Sequence, residues 1–217
     1  MRWSSDLAYV VGLITTDGSL SIDGRHINLT SKDKEQIDTF AKILHLNNKV
    51  EFKISSYNPN GLYYQIQFGN VKIYRFLLDI GLTPNKTKTL SSLLIPDKYF
   101  ADFLRGHLDG DGYTYSYWDK RWKSSFMLYT GFVSASKKHL EWINEKIKKL
   151  YGIEGRIGYS GKSVFQLKFA KNSSIKLLKN IYYSPTISCL SRKRFKIQSA
   201  LAIISTCGCA EMVYRHA

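Results

Sequence analysis

The chain has 217 residues, 44% of them hydrophobic, and carries 32 Lys plus Arg against 17 Asp plus Glu, a formal charge of +15. That apolar fraction supports one large domain or two small ones fused around a shared core and excludes a disordered chain, and no apolar run approaches the roughly 20 residues of a membrane helix. The charge excess calls for a polyanionic partner, nucleic acid rather than a membrane surface, because no basic amphipathic helix stands out.

Three cysteines, Cys189, Cys207 and Cys209, are odd in number and confined to the C-terminal region, so they read as free thiols rather than a disulfide framework. With no signal peptide after Met1, a cytoplasmic or organellar-matrix location is expected, not secretion. The charge is unevenly placed: residues 1–97 carry +2 and residues 98–217 carry +13, so the second part should supply most phosphate contacts.

From the N-terminus, Ser4 or Ser5 can cap a helix running to about Thr16. Leu20/Ile22 and Ile27/Leu29 then alternate with polar neighbours around Asp23-Gly24, which predicts a hairpin with one face buried. Lys34 to Leu46 spaces its apolar residues by three and four (Ile37, Phe40, Ala41, Leu44), the pattern of an amphipathic helix. Val50/Phe52/Ile54 and Tyr64/Ile66/Phe68 form a second alternating pair around Asn58-Pro59-Asn60-Gly61, and Val71 to Ile80 closes the unit as a helix. Pro84 and Pro96 punctuate the connection to the second part of the chain.

The stretch from Lys98 to Tyr182 repeats this order. Gly12-Leu13-Ile14-Thr15-Thr16-Asp17-Gly18 is matched by Gly106-His107-Leu108-Asp109-Gly110-Asp111-Gly112, Leu29 to Asp33 by Phe132 to Ser136, and Tyr64 to Phe68 by Phe165 to Phe169. The offsets of 94, 103 and 101 between these landmarks place an insertion of about nine residues in Tyr113 to Phe126. The chain therefore reads as an α/β (α+β) protein of two pseudo-symmetric αββαββα repeats, residues 1–97 and 98–217. A further helix is predicted at Ser191 to Ser205, and beyond Cys207 the sequence predicts little.

Glycine inside a helix costs about 1 kcal/mol relative to alanine, so Gly12 and Gly106 need a reason, and close approach of two helix backbones supplies one. If those helices pack on each other across a pseudo-twofold axis, their ends bring Asp17 and Asp111 close together. A carboxylate in the last turn of a helix is disfavoured by the dipole, and two such groups repel, so a divalent cation would relieve both penalties. Oxygen ligands without a His/Cys cluster favour Mg²⁺ over zinc, with Mn²⁺ or Ca²⁺ as substitutes. Thr16 and Gly110 stand beside the two acids as further candidate ligands. The bland alternative is that Asp-Gly only marks a turn, as at Asp23-Gly24.

Two G-x-x-x-x-D-G motifs, each opening such a repeat, resemble the single-chain, two-repeat form of the LAGLIDADG homing endonucleases. The resemblance covers nearly the whole chain up to about Lys196, and the first motif departs from it only where Thr15 stands in for an Asp. It implies sheets forming a saddle over duplex DNA and metal-dependent double-strand cleavage across the minor groove at a long, asymmetric site. It also implies a monomer, intron-encoded, with Asp17 and Asp111 binding metal and each serving one strand. A basic residue near the end of each repeat is expected to assist: Lys86 in the first, with Lys193 or Arg192 in the second. The same resemblance admits a rival, a cleavage-inactive binding protein acting on its own intron RNA or as a transcriptional regulator.

Target reading should fall to the outward strand faces, because a two-stranded ribbon fits the major groove and Arg, Lys, Asn and Gln match purine edges. In the first repeat that set is Ser19, Ser21, Asp23, Arg25, His26, Asn28, Lys49, Glu51, Lys53, Gln65 and Gln67. In the second it is Tyr113, Tyr115, Tyr117, Arg156, Gln166 and Lys168, joined by Lys120, Arg121 and Lys123 on the longer hairpin. That hairpin mixes aromatic and basic side chains, which either tracks a nucleic-acid backbone or packs on itself.

Overall fold

The computed structural model describes residues 1–54, 61–122, 125–161 and 163–213, with side chains described as far as Thr206. The turn expected at Asn58 to Asn60, the contact residue Lys123 and the thiols of Cys207 and Cys209 lie outside the described residues. Helix α1 (Ser5–Asp17) starts as capping chemistry requires, with Ser4 Oγ accepting the Leu7 N–H at 3.1 Å. Every residue from Leu7 to Thr15 is buried, so α1 is apolar on all sides because it runs through the middle of the molecule.

After it come β1 (Gly18–Leu20), β2 (His26–Ser31), α2 (Lys34–Ile43), β3 (Glu51–Ile54), β4 (Leu62–Gly69) and α3 (Val71–Asp79). A 3₁₀ turn (Asp97–Tyr99) opens the second repeat, followed by α4 (Phe100–Asp109), β5 (Tyr113–Trp118), β6 (Phe126–Ser134), α5 (Lys137–Tyr151), β7 (Arg156–Tyr159), β8 (Phe165–Phe169) and α6 (Lys171–Ile181). Helix α7 (Ser191–Val213) runs further than the expected Ser205. Both four-stranded sheets are antiparallel with the same order, β1-β2-β4-β3 and β5-β6-β8-β7. The repeat survives to the level of register: Ser19 pairs with Asn28 in the first sheet, and Tyr113 pairs with Gly131, at the corresponding offsets, in the second.

Three local expectations need correction. Strand β1 stops at Leu20, and Ile22 is 88% exposed, because the chain turns early on Asp23, whose Oδ1 accepts the Arg25 and His26 N–H groups before Gly24 at φ 77°. Helix α2 ends at Ile43 rather than Leu46, where His45 enters the left-handed region at φ 52°. Strand β3 is exposed on both faces, with Phe52 and Ile54 each 67% exposed. It is an edge strand, and α2 packs over the central β2 and β4 instead.

One continuous apolar core joins the two repeats, centred on α1 and α4. The connector between them is tied onto α5: Ser136 Oγ donates to the Leu90 carbonyl and His139 Nδ1 donates to Ser91 O at 2.7 Å. That leaves His139 Nε2 to accept from His107 Nε2, 3.2 Å away, so both buried imidazoles are neutral, and burial holds their pKa values below the usual histidine range. No helix among the described residues is long and apolar enough to cross a membrane.

Candidate metal and nucleic-acid site

Helices α1 and α4 cross where neither carries a side chain. A Cβ on Gly106 would lie 2.1 Å from the Tyr9 carbonyl oxygen and 3.1 Å from Gly12 Cα, and one on Gly12 would lie 2.3 Å from the Phe103 carbonyl oxygen. These are backbone obstacles that cannot rotate away, so the two glycines set the distance between the helices. The contact continues to the helix ends: a Cβ on Gly110 would stand 2.0 Å from Thr16 Oγ1 and 3.0 Å from Asp17 Oδ2. The Asp17 carboxylate thus leans across the crossing onto the residue that precedes Asp111.

The two acids share a field but not an environment. Burial first, then the Asp111 charge, raises Asp17 to about 6, against the opposing pull of Gln36, Lys193 and Lys86. Gln36 Nε2 donates to Asp17 Oδ2 at 3.0 Å, and its Oε1 accepts from Ser31 Oγ at 3.2 Å, so the carboxylate is oriented from α2. Asp111 stands past the end of α4 and is exposed, yet desolvation by the protein around it still raises its carboxyl, with Lys193 and Lys86 opposing. A polar Gln36 beside the apolar Ile37 and Phe40 is the one sequence signal for this residue, and it is too weak to single Gln36 out.

The two expected lysines occupy equivalent posts. Lys86 is buried and donates to the Gly18 carbonyl; Lys193 donates to Gly112 O at 2.9 Å and also to Leu108 O at 2.6 Å, Asp109 O at 2.8 Å and Gly110 O at 3.2 Å. Each ammonium therefore meets the glycine carbonyl just after its motif acid, and each offsets the negative end of a motif helix. Burial lowers Lys86 to about 8 and lowers Lys193 as well, while Asp111 and Asp17 pull Lys86 back up and Asp109 and Asp17 do so for Lys193. Arg192 does not join them: it pairs with Asp33 at 2.6 and 2.7 Å, and Ser191 bonds Glu35, so the start of α7 is clamped to the first repeat.

Two buried acids, Asp109 inside the second motif and Asp102 ahead of it, anchor the segment that delivers Lys193. Asp109 accepts from the Leu190 N–H at 2.7 Å and from the Tyr9 hydroxyl at 2.9 Å, and burial raises its carboxyl to about 6. Asp102 pairs with Arg105 at 2.7 Å, and Arg105 donates on to Ser188 O at 2.7 Å and Ile181 O at 2.9 Å. A buried ion pair of this kind is retained only when its remaining donors are satisfied, as they are here by the segment leading to α7.

Asp17, Asp111, Thr16, Gly110, Lys86 and Lys193 are thus brought together. The Thr16 hydroxyl is committed to Leu13 O at 3.0 Å, which leaves its main-chain carbonyl as the donor available to a cation. No cluster of three or more His, Cys, Asp or Glu occurs among the described residues, so a metal here would take two carboxylates and main-chain oxygens, a hard donor set suited to Mg²⁺ or Ca²⁺. The repulsion that raises Asp17 is what such an ion would neutralise.

The strand residues divide by face. Ser19, His26, Asn28, Gln65, Gln67, Glu51 and Lys53 fall on the side opposite Ile27, Leu29, Ile66 and Phe68, with Thr30 and Tyr63 as unexpected members; Lys49 lies beside His26 and Gln67. Ser21 and Arg25 sit in the turn, where the Asp23 carboxylate is occupied in capping and in pairing with the His26 ring. On the second sheet Tyr113, Tyr115, Tyr117, Arg156, Gln166 and Lys168 share one face, joined by Met127, Tyr129 and Val133. At the hairpin end Lys120 is exposed and Arg121 turns back to Asp119.

The raised Asp17 carboxyl has a measurable consequence. A group whose folded pKa lies near 6 against 3.8 unfolded contributes stability below the lower value that is lost as pH rises through the upper one. The melting temperature of the metal-free protein relative to an Asp17→Asn variant is expected to fall between about pH 4 and 6. Any divalent cation held by this carboxylate would instead give a stabilisation that fades as pH drops through the same window, since it needs the ionised form. Thermal melts of both proteins across pH, with and without Mg²⁺, check both signs.

Residues 4–81 match the family model described as a LAGLIDADG-like domain. No curated protein matches the chain by sequence. Among solved structures, full-length DUF199/WhiA from Thermatoga maritima is 15% identical at a TM-score of 0.60, covering 95% of this chain and 62% of its own. This chain therefore spans less than two thirds of that protein. The homing endonuclease I-WcaI bound to its DNA recognition sequence is 12% identical at a TM-score of 0.59, with 85% and 86% covered. I-DmoI in complex with DNA and Ca is 16% identical at a TM-score of 0.58, with 89% and 97% covered. At these identities the likeness is one of fold. The chain has the two-repeat LAGLIDADG fold, and residues 4–81 are similar to a LAGLIDADG-like domain.

Proposed function

We propose that the protein is a site-specific DNA endonuclease that uses a divalent cation to break both strands of a long, asymmetric duplex site. The observation that carries this reading is the crossing at Gly12 and Gly106, which sets two mutually repelling carboxylates side by side with a lysine behind each. A purely structural helix pair has no use for that repulsion. The outward faces and the excess positive charge supply a surface for duplex DNA, and two repeats in one chain suit monomeric action at a site of about two helical turns. Structures of I-DmoI with DNA and Ca, with DNA and Mn, and of its variant with target DNA and Mg support divalent metal use in this fold.

Asp17 and Asp111, with the Thr16 and Gly110 carbonyls, would hold the cation, which when bound polarises the scissile phosphate and lowers the pKa of attacking water. Gln36 keeps the Asp17 carboxylate in one orientation. Lys193 and Lys86 offset the charge that builds at the phosphate as the leaving oxygen departs. Lys193→Met is expected to lower cleavage by on the order of 10²-fold while duplex affinity changes by about 3-fold or less. Single-turnover cleavage beside a binding titration measures the two separately.

The decisive test is selection of cleaved sites from a randomised duplex library with Mg²⁺ and the native chain. Recovery of one long non-palindromic site cut on both strands supports the reading; an uncut library in Mg²⁺ and in Mn²⁺ sinks it. One observation favours a rival: both ammonium groups donate to carbonyls at the ends of the motif helices, a capping task that a binding protein also needs. A native chain that retains a specific duplex without ever cutting it would establish that cleavage-inactive alternative, with its own intron RNA as a further ligand to try.

A further inference from the structure

The two outward sheet faces differ in kind. On the first, Asn28, Gln65, Gln67 and Lys53 present hydrogen-bonding groups. On the second, four tyrosines are packed into a wall: Tyr115 stacks on Tyr129 at 5.1 Å between ring centroids, and Tyr115 lies parallel to Tyr117 at 6.2 Å and an interplanar angle of 6°. Tyr113 stacks on Tyr115 at 6.0 Å and crosses Gly131, where a Cβ would lie 2.4 Å from the Tyr113 ring.

Two polar side chains at the centre of this face already have partners, and Arg156 stands apart on the edge strand β7. Gln166 Oε1 accepts the Tyr113 hydroxyl at 2.9 Å, and Lys168 Nζ sits 4.3 Å from the Tyr129 ring centroid and 5.2 Å from that of Tyr115. Because the tyrosines cover one another's faces, they do not offer planes for unpaired bases to stack on. What they turn outward is ring edge with the hydroxyl at its tip, flanked by the half-buried Met127 and Val133 on β6. In the major groove the apolar feature that distinguishes base pairs is the thymine 5-methyl group.

We infer that the second repeat reads its half-site through thymine methyl groups packed against the Tyr115, Tyr117, Met127, Tyr129 and Val133 surface, while the first repeat reads by hydrogen bonds. This rests on the assignment of the sheets to duplex DNA. It predicts an unequal target: one half-site rich in thymine, the other specified by purine edges.

The test uses a duplex recovered from the randomised library by binding to the native chain without divalent metal. Thymines are replaced by deoxyuridine one half-site at a time, which removes the methyl and leaves pairing intact. Burial of a methyl corresponds to a loss of roughly 4-fold in affinity for each one removed, confined to one half-site. Replacing those thymines by 5-iodo-deoxyuridine and irradiating the native complex should place cross-links in β5 and β6, which needs no variant to fold. A uniform deoxyuridine penalty, no penalty, a half-site without thymine, or cross-links in the first sheet each overturn the inference while leaving DNA binding intact. A library that yields no bound duplex overturns the DNA reading and this inference with it.

Discussion

Asp111→Asn is expected to abolish metal-dependent cleavage, by roughly 10³-fold or more in the single-turnover rate, while leaving duplex binding close to native. The amide keeps the size of the carboxyl but cannot hold a cation with a full negative charge, so the loss should fall on chemistry rather than on recognition. Because the Asp111 charge adds to the burial that raises the Asp17 carboxyl, the same substitution should bring Asp17 part of the way down and modestly stabilise the metal-free fold, burial still holding it above its ordinary range. A variant less active yet no less stable than the native chain is what a strained metal site produces. A variant that cuts at the native rate would remove Asp111 from the mechanism; one that unfolds would make the residue structural.

Gly106→Ala should have the largest effect on stability. The added methyl would lie 2.1 Å from the Tyr9 carbonyl oxygen, and the obstacle is backbone, so relief requires the two central helices to separate. Overpacking of this kind costs roughly 3 kcal/mol or more, well above the alanine substitution's helix-propensity gain of about 1 kcal/mol. Urea denaturation measures it, and an unchanged midpoint would show that the crossing does not depend on glycine. A partly folded variant should lose cleavage faster than binding, since separating α1 from α4 moves Asp17 away from Asp111 before it disturbs either sheet.

Much of the fold is legible in the sequence. The duplicated motif, the alternation in Ile27/Leu29 and Ile66/Phe68, and the offsets between landmarks carry the repeat, because burial periodicity and backbone requirements are written locally. The same locality explains the failures. Phe52 and Ile54 alternate like core residues, but their exposure depends on which strand lies at the sheet edge. Ile22 fits the pattern of β1, but the Asp23 cap ends the strand first. For Arg192 and Lys193, neighbours in sequence, only the fold separates the residue that clamps Asp33 from the one that reaches the motif carbonyls.

Gln36 and Asp109 mark the boundary of sequence reasoning in the site itself. Gln36 reaches Asp17 from another helix, while its counterpart in the second repeat, His139, turns instead to Ser91 and His107. Asp109 looks in sequence like one more motif acid, and it is a buried anchor for the segment that delivers Lys193. By itself the sequence determined that the chain is two copies of one unit, that paired acids close the first helix of each, and that the chain is strongly basic, mostly in its second part. The tertiary structure alone decided how near those acids come, which lysine stands behind each, and which sheet face is polar and which aromatic. Periodicity and charge are properties of neighbours along the chain, whereas distance, burial and the pairing of polar groups arise only when segments some 100 residues apart, as Tyr9 and Asp109 are, pack together.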